Sequence, residues 1–129
     1  MYRTATLLII DDEKEQLLLR KMLLEAAGHH VLTAQSGREG LKVFQSEIVD
    51  AVIIDYWMGD MKGIAVASEM KRLRPQIPIA IFSAFRPLPD EAIGKADAWL
   101  VKGEIEPTEL LREIDRLLLA KRPGAGLRN

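Results

Sequence analysis

Short apolar runs alternate with longer amphipathic segments five times along the chain. The first run, Thr6-Leu7-Leu8-Ile9-Ile10, is too short and too uniformly apolar for a surface helix, and it stops at Asp11-Asp12. That pattern predicts a buried parallel strand. Leu18, Met22 and Ala26, with Leu19 and Leu23 beside them, then recur at helical spacing, which predicts a helix that buries this stripe and stops at Gly28. Residues 31–34 predict a second strand. Ser36-Gly37-Arg38-Glu39 has capping-box spacing and opens a second helix that buries Leu41 and Phe44. Ala51-Val52-Ile53-Ile54 predicts the third strand, ending on Asp55. After a loop from Tyr56 to about Asp60, a third helix runs to about Arg74 with Val66, Ala67, Met70 and Leu73 on one face, ended by Pro75 and Pro78.

Ile79-Ala80-Ile81-Phe82 predicts a fourth strand, ending on Ser83, and residues 98–101 a fifth, ending on Lys102. Between them Pro87 and Pro89 leave room for a short helix of about two turns, stopped near Gly94. Pro107 takes the favoured first position of the last helix, whose stripe is Leu110, Leu111, Ile114, Leu117 and Leu118. Strands alternating with helices imply right-handed crossovers and a parallel sheet covered on both faces. The expected architecture is an open, doubly wound α/β sandwich of three layers, with five strands and five helices.

Composition narrows the options. At 129 residues, one domain is expected, spanning residues 1–121, with a loose tail at 122–129 that has little to bury. Cysteine is absent, which excludes disulfide scaffolds, thiolate metal sites and cysteine nucleophiles. Eighteen basic residues against nineteen acidic ones, for a net charge of −1, argue against direct nucleic-acid binding. No apolar run approaches the ~20 residues needed to span a bilayer, and the N-terminus lacks a signal-peptide pattern. A cytoplasmic protein without membrane contact is expected.

In open parallel sheets, ligands sit outside the carboxyl ends of the strands. That rule selects Asp11 and Asp12 after the first strand, Asp55 after the third, Ser83 after the fourth and Lys102 after the fifth. Singly, each has a plain structural reading: Asp12 as a helix N-cap, Asp55 as a loop carboxylate, Ser83 as a cap and Lys102 as a solvated charge. Together they form a constellation. Three adjacent carboxylates repel and call for a counter-ion. Their hard oxygen donors favour Mg²⁺ over zinc or copper. Three aspartates are then balanced by Mg²⁺ and Lys102, and a phosphoryl dianion in place of one carboxylate charge adds one further negative charge. Metal, hydroxyl and ammonium are the usual clamp for phosphoryl oxygens, so the chemistry indicated is phosphoryl transfer to an aspartate.

At these residues the sequence resembles the receiver domain of two-component response regulators, over roughly residues 6–120. The matching motifs are Leu8-Ile9-Ile10-Asp11-Asp12-Glu13; Ile54-Asp55 followed by Met58 and Gly63; Phe82-Ser83-Ala84; and Trp99-Leu100-Val101-Lys102. The resemblance implies a flavodoxin-like fold with sheet order 2-1-3-4-5. It implies that Asp55 accepts phosphate from a sensor kinase histidine or a phosphotransfer protein. Asp11, Asp12, Asp55 and the backbone carbonyl of Trp57 would hold Mg²⁺, Ser83 would be the switch hydroxyl, and Lys102 would pair with the phosphoryl group. Trp99 stands where the family has a Tyr or Phe that turns inward; it is either such a switch or plain core. The resemblance also implies a downstream protein target, and pairing into a homodimer is open.

Several positions depart from the family pattern. Gly59 stands where a proline is common. Gly103 replaces the proline that follows the lysine in a cis peptide. A cis bond before a non-proline residue costs ~2.5–4 kcal/mol, so a differently built loop is expected around Lys102. The segment between Ser83 and Lys102 is about one turn short of the family length. Trp57 either packs on neighbouring loop atoms or borders the path of attacking water and shields an acyl phosphate. His29 and His30 are expected at the surface or a strand edge rather than as ligands, and Arg86 is expected to be exposed. Lys121, Arg122 and Arg128 make too sparse a basic tail for DNA binding.

A phospho-accepting signalling domain that is not an enzyme is therefore the favoured function. The alternative is a degenerate receiver that binds a partner without phosphorylation, motivated by Gly103 and the short segment. An aspartate-nucleophile hydrolase would need a second carboxylate at Trp57, and a dinucleotide-binding domain a glycine-rich turn at Asp11-Asp12.

Overall fold

Each predicted apolar run becomes a strand; the three central ones are buried on both faces, and the two at the sheet edges are half-buried. The computed structural model describes residues 4–84 and 94–121. β1 (Thr6–Ile10), β2 (His30–Ala34), β3 (Ala51–Asp55), β4 (Ile79–Ser83) and β5 (Ala98–Val101) form one parallel sheet in the order β2-β1-β3-β4-β5. Chain order reverses direction between β1 and β3, which creates the switch point at the carboxyl edge. Four helices cover the sheet among the described residues: α1 (Lys14–Ala26), α2 (Gly37–Ser46), α3 (Gly63–Leu73) and α4 (Pro107–Lys121). The expected short helix between Pro89 and Gly94, the Arg86 side chain and the 122–129 tail lie outside the described residues. None of the described helices is long and apolar enough to cross a membrane.

Alternation along the strands divides the core in two. Leu8, Ile10, Val52, Ile54, Ile79 and Ile81 pack with Phe44 of α2 and Val66, Ala67 and Met70 of α3. Leu7, Ile9, Ile53, Ala80 and Phe82 pack with Leu17 and Leu24 of α1 and Leu110, Ile114 and Leu117 of α4. The stripes predicted for α3 and α4 hold apart from Leu73, which is exposed at the end of α3. Ser36 caps α2 as its spacing predicts, accepting the Glu39 N–H at 3.1 Å.

The face of α1 differs from the one its apolar spacing predicts. Leu18, Leu19 and Met22 are exposed, whereas Leu17 and Leu24 are buried and Arg20 lies between them on the inward face. The run Leu17-Leu18-Leu19 offers two stripes of similar apolarity, and the ion pair Arg20 makes with buried Asp11 selects the one that turns Arg20 inward. α1 ends as expected at Gly28, in a Schellman pattern: the His29 N–H donates to the Leu24 carbonyl at 3.1 Å and the Gly28 N–H to the Glu25 carbonyl at 2.9 Å. His29 takes the strand-edge alternative of its expectation. It is buried beside the edge strand, and its Nδ1 accepts the Ala5 N–H at 3.2 Å, satisfying a backbone donor just before β1.

Candidate functional site

The same alternation sorts the candidate residues. Asp11 continues the series Leu7, Ile9; Asp55 follows Ile53 by two; Lys102 follows Leu100 by two. All three therefore fall on the α1/α4 side of the sheet, at the ends of β1, β3 and β5. Ser83 instead continues Ile79 and Ile81 on the α2/α3 side, where Trp99 also packs.

The structure brings the three carboxylates together. Asp11, Asp12 and Asp55 each offer an oxygen, and these atoms lie within 4.8 Å of one another. Asp11 and Asp55 are buried and Asp12 is exposed. Lys102 Nζ lies 2.7 Å from Asp55 Oδ1, and 3.9 Å from both Asp11 Oδ2 and Glu13 Oε1. Burial pushes the Asp55 carboxyl above its ordinary range; the Lys102 hydrogen bond pulls it down, but repulsion from Asp11 and Asp12 adds to the upward push. A cleft of about 450 Å³ opens over Asp55, lined by Asp12, Glu13, Trp57, Ala84 and Lys102.

Lys102 reaches its partner although no proline follows it. Its N–H donates to the Ser83 carbonyl at 2.7 Å, extending the β4–β5 ladder by one bond, and Gly103 then turns the chain with φ +81°. Proline is held near φ −65°, so the loop is built on a turn that proline could not adopt. The loop after Asp55 is likewise closed by backbone bonds. The Gly63 N–H donates to the Tyr56 carbonyl at 2.7 Å, and Trp57 bridges to Lys62. Only glycine fits at 63, because a Cβ there would collide with the Asp55 carbonyl oxygen. Asp60 ties this loop to α2, accepting the Gly37 and Arg38 N–H groups at 3.0 Å each. Those two bonds, Gly37's the stronger, hold the Asp60 carboxyl below its ordinary range.

Trp57 borders the cleft but is 66% exposed, with Lys62 Nζ 5.8 Å from its ring centre. Trp99 is half-buried and lies 5.4 Å from the Tyr56 ring, which in turn stands 6.5 Å from Trp57. Ser83 is buried at the end of β4, and Ala84 rather than Ser83 lines the cleft. Asp12, read singly as an N-cap, is not one: α1 is capped at Glu13, whose N–H donates to Asp11 Oδ1 at 2.9 Å.

Arg20 is the site residue that sequence reasoning missed. Its Nη1 donates to Asp11 Oδ2 at 2.6 Å, and its guanidinium stacks 4.2 Å from the centre of the Phe82 ring. Its spacing, three residues after Leu17 and four before Leu24, is compatible with the buried face but does not select that face over the Leu18-Met22 stripe.

The donor set fits Mg²⁺: three carboxylates with convergent oxygens and no nitrogen or sulfur ligand among them suit a small, hard cation. With an ion there, the cleft joins a nucleophilic carboxylate, a divalent charge and an ammonium, the parts needed to accept a phosphoryl group.

Comparison with known proteins agrees with this geometry. The family model described as the response regulator receiver domain matches residues 7–114. GlrR, a transcriptional regulatory protein of Escherichia coli, is 38% identical over 89 residues, which cover 69% of this chain and 20% of GlrR. A gliding motility regulatory protein of Myxococcus xanthus is 34% identical over 99 residues, 73% of this chain and 13% of that protein. This chain thus spans about a fifth or less of the length of either. The response regulator TrrA of Thermotoga maritima, solved in complex with Mg²⁺-BeF, superposes with a TM-score of 0.82 at 32% identity, covering 88% of this chain and 98% of TrrA. CheY4 of Vibrio cholerae, a chemotaxis response regulator, gives 0.81 at 29% identity, over 90% of this chain and all of CheY4.

Proposed function

This chain belongs to the response regulator receiver family, and from that premise we propose that it is a phospho-accepting switch whose acceptor is Asp55. The observation that carries the reading is the Lys102 ammonium 2.7 Å from a buried Asp55 carboxylate that shares its corner with Asp11 and Asp12. An Asp55 oxygen attacks the phosphorus of a phosphohistidine on a sensor kinase or phosphotransfer protein. The O–P bond forms as the N–P bond breaks, and the imidazole leaves with the electron pair. Asp11, Asp12, Asp55 and the Trp57 carbonyl would hold Mg²⁺, which when bound neutralises charge on the phosphoryl oxygens. The Mg²⁺-BeF complex of TrrA supports this role for the ion. Lys102 pairs with the phosphoryl group.

Phosphorylation then draws Ser83 and Trp99 toward the site, biasing a two-state equilibrium of the β4–β5 region by the ~1–3 kcal/mol typical of such coupling. With Trp57 rather than a carboxylate two residues beyond Asp55, the site accepts phosphate stoichiometrically and is not a turnover enzyme. Output passes to a downstream protein or to another segment of a longer regulator, in the cytoplasm. The test is incubation with Mg²⁺ and acetyl phosphate, followed by intact mass measurement. A single phosphoryl adduct that Asp55→Asn abolishes is expected. No adduct with acetyl phosphate or with a phosphorylated kinase would overturn the reading in favour of a phosphorylation-independent binding module.

A further inference from the structure

The receiver-type balance of charges leaves one negative charge uncompensated in the phosphorylated site. Asp11, Asp12 and a phosphoryl dianion on Asp55 exceed what Mg²⁺ and Lys102 supply together. Glu13, also 3.9 Å from Lys102, is 65% exposed and screened by solvent; among the buried groups Arg20 makes up that difference. It is 11% exposed, its guanidinium carbon lies 4.2 Å from the centre of the Phe82 ring, and it donates to Asp11 Oδ2 at 2.6 Å while Asp11 Oδ1 is held by the Glu13 N–H. Both oxygens of the fully buried Asp11 carboxylate are thus fixed, one by a helix that begins beside the site and one by a cation carried on that helix's inward face.

We propose that Arg20 is a positioning residue of the phosphoryl site, acting through Asp11 and supplying the second permanent positive charge that the phosphorylated state requires. The proposal rests on the phospho-acceptor reading above. Its logic is differential. Before phosphorylation the three aspartates face two fixed cations, so the site attracts Mg²⁺ less than the bare carboxylates would. After phosphorylation the same guanidinium offsets the added charge. A low-polarity environment keeps the effect strong, since Asp11 is buried and Arg20 is packed on an aromatic face. A purely structural role, anchoring α1 to the sheet, would bias neither state.

The test uses the whole chain and three variants: Arg20→Gln, Arg20→Lys, and Arg20→Met, which keeps an unbranched stem on Phe82 without the charge. Mg²⁺ is titrated alone, read by the fluorescence of Trp57 and Trp99, the chain's two tryptophans. Beryllofluoride is then titrated at saturating Mg²⁺. For Arg20→Gln and Arg20→Met, Mg²⁺ affinity is expected to rise about five- to tenfold at low salt and beryllofluoride affinity to fall by about the same factor. Arg20→Lys is expected to stay near the wild-type values in both titrations. Arg20→Met decides the matter should Arg20→Gln fail to fold. Unchanged or weakened Mg²⁺ affinity in the uncharged variants overturns the proposal, and so does beryllofluoride binding that does not weaken. A wild-type chain that takes no phosphoryl group from acetyl phosphate defeats the phospho-acceptor reading instead, a result the Mg²⁺ titration does not depend on.

Discussion

Asp55 sits under opposed influences, and burial with two neighbouring carboxylates outweighs the Lys102 ammonium. Its folded-state pKa is therefore raised, so its ionised form is less favourable in the folded protein than in the unfolded chain. The stability that protonation confers is present at acid pH and is lost as pH rises through the folded pKa. In chelator, Asp55→Asn is thus expected to melt at a higher temperature than wild type near neutral pH. That gain should shrink as pH is lowered through the raised pKa, as scanning calorimetry across pH would record. Trp57 poses a different question, because an indole two-thirds exposed at the cleft mouth shields only what lies beneath it. Trp57→Ala is expected to shorten the life of the acyl phosphate by about threefold or more, measured as loss of phosphorylated protein after donor removal, by admitting water to the phosphorus. An unchanged rate would leave Trp57 as loop packing alone.

The strands were legible at the level of elements because apolar runs of four or five residues, each ended by a polar one, have few other folded uses. The end of each run also located Asp11, Asp55, Ser83 and Lys102 at the carboxyl edge. α1 was less legible. Leu17, Leu18, Leu19, Met22, Leu23 and Leu24 permit two overlapping stripes, and what separates them is an ion pair between Arg20 and Asp11 that hydrophobic spacing does not register. The burial of His29 at the strand edge is illegible for a similar reason, since it answers the Ala5 N–H rather than any periodicity. The junction of β3 with α3 shows how closely elements approach the site. Gly63→Ala would press a methyl group against the Asp55 carbonyl. It is expected to cost about 1–3 kcal/mol in denaturant unfolding, and to slow phosphorylation by displacing Asp55 and the loop that follows it.

For the whole molecule, a site assembled from the ends of β1, β3 and β5 exists only when the sheet does. Ligand binding there is consequently linked to global folding. Mg²⁺ at 100 times its dissociation constant is expected to stabilise the fold by about 2.7 kcal/mol, with Asp12→Asn removing most of that increment in paired melting curves. The two-sided arrangement of the sheet adds a constraint, because Asp55 and Lys102 belong to one face and Ser83 and Trp99 to the other. The Lys102 N–H to Ser83 carbonyl bond is a direct backbone link between them.

Gly103 carries that arrangement into the domain of protein engineering. Its left-handed turn sets the backbone that follows Lys102, and a residue confined to negative φ cannot replace it one residue at a time. A proline written into position 103 would demand a backbone that the turn between β5 and α4 does not supply. Grafts between this protein and its relatives would therefore have to move residues 101–104 as an indivisible cassette.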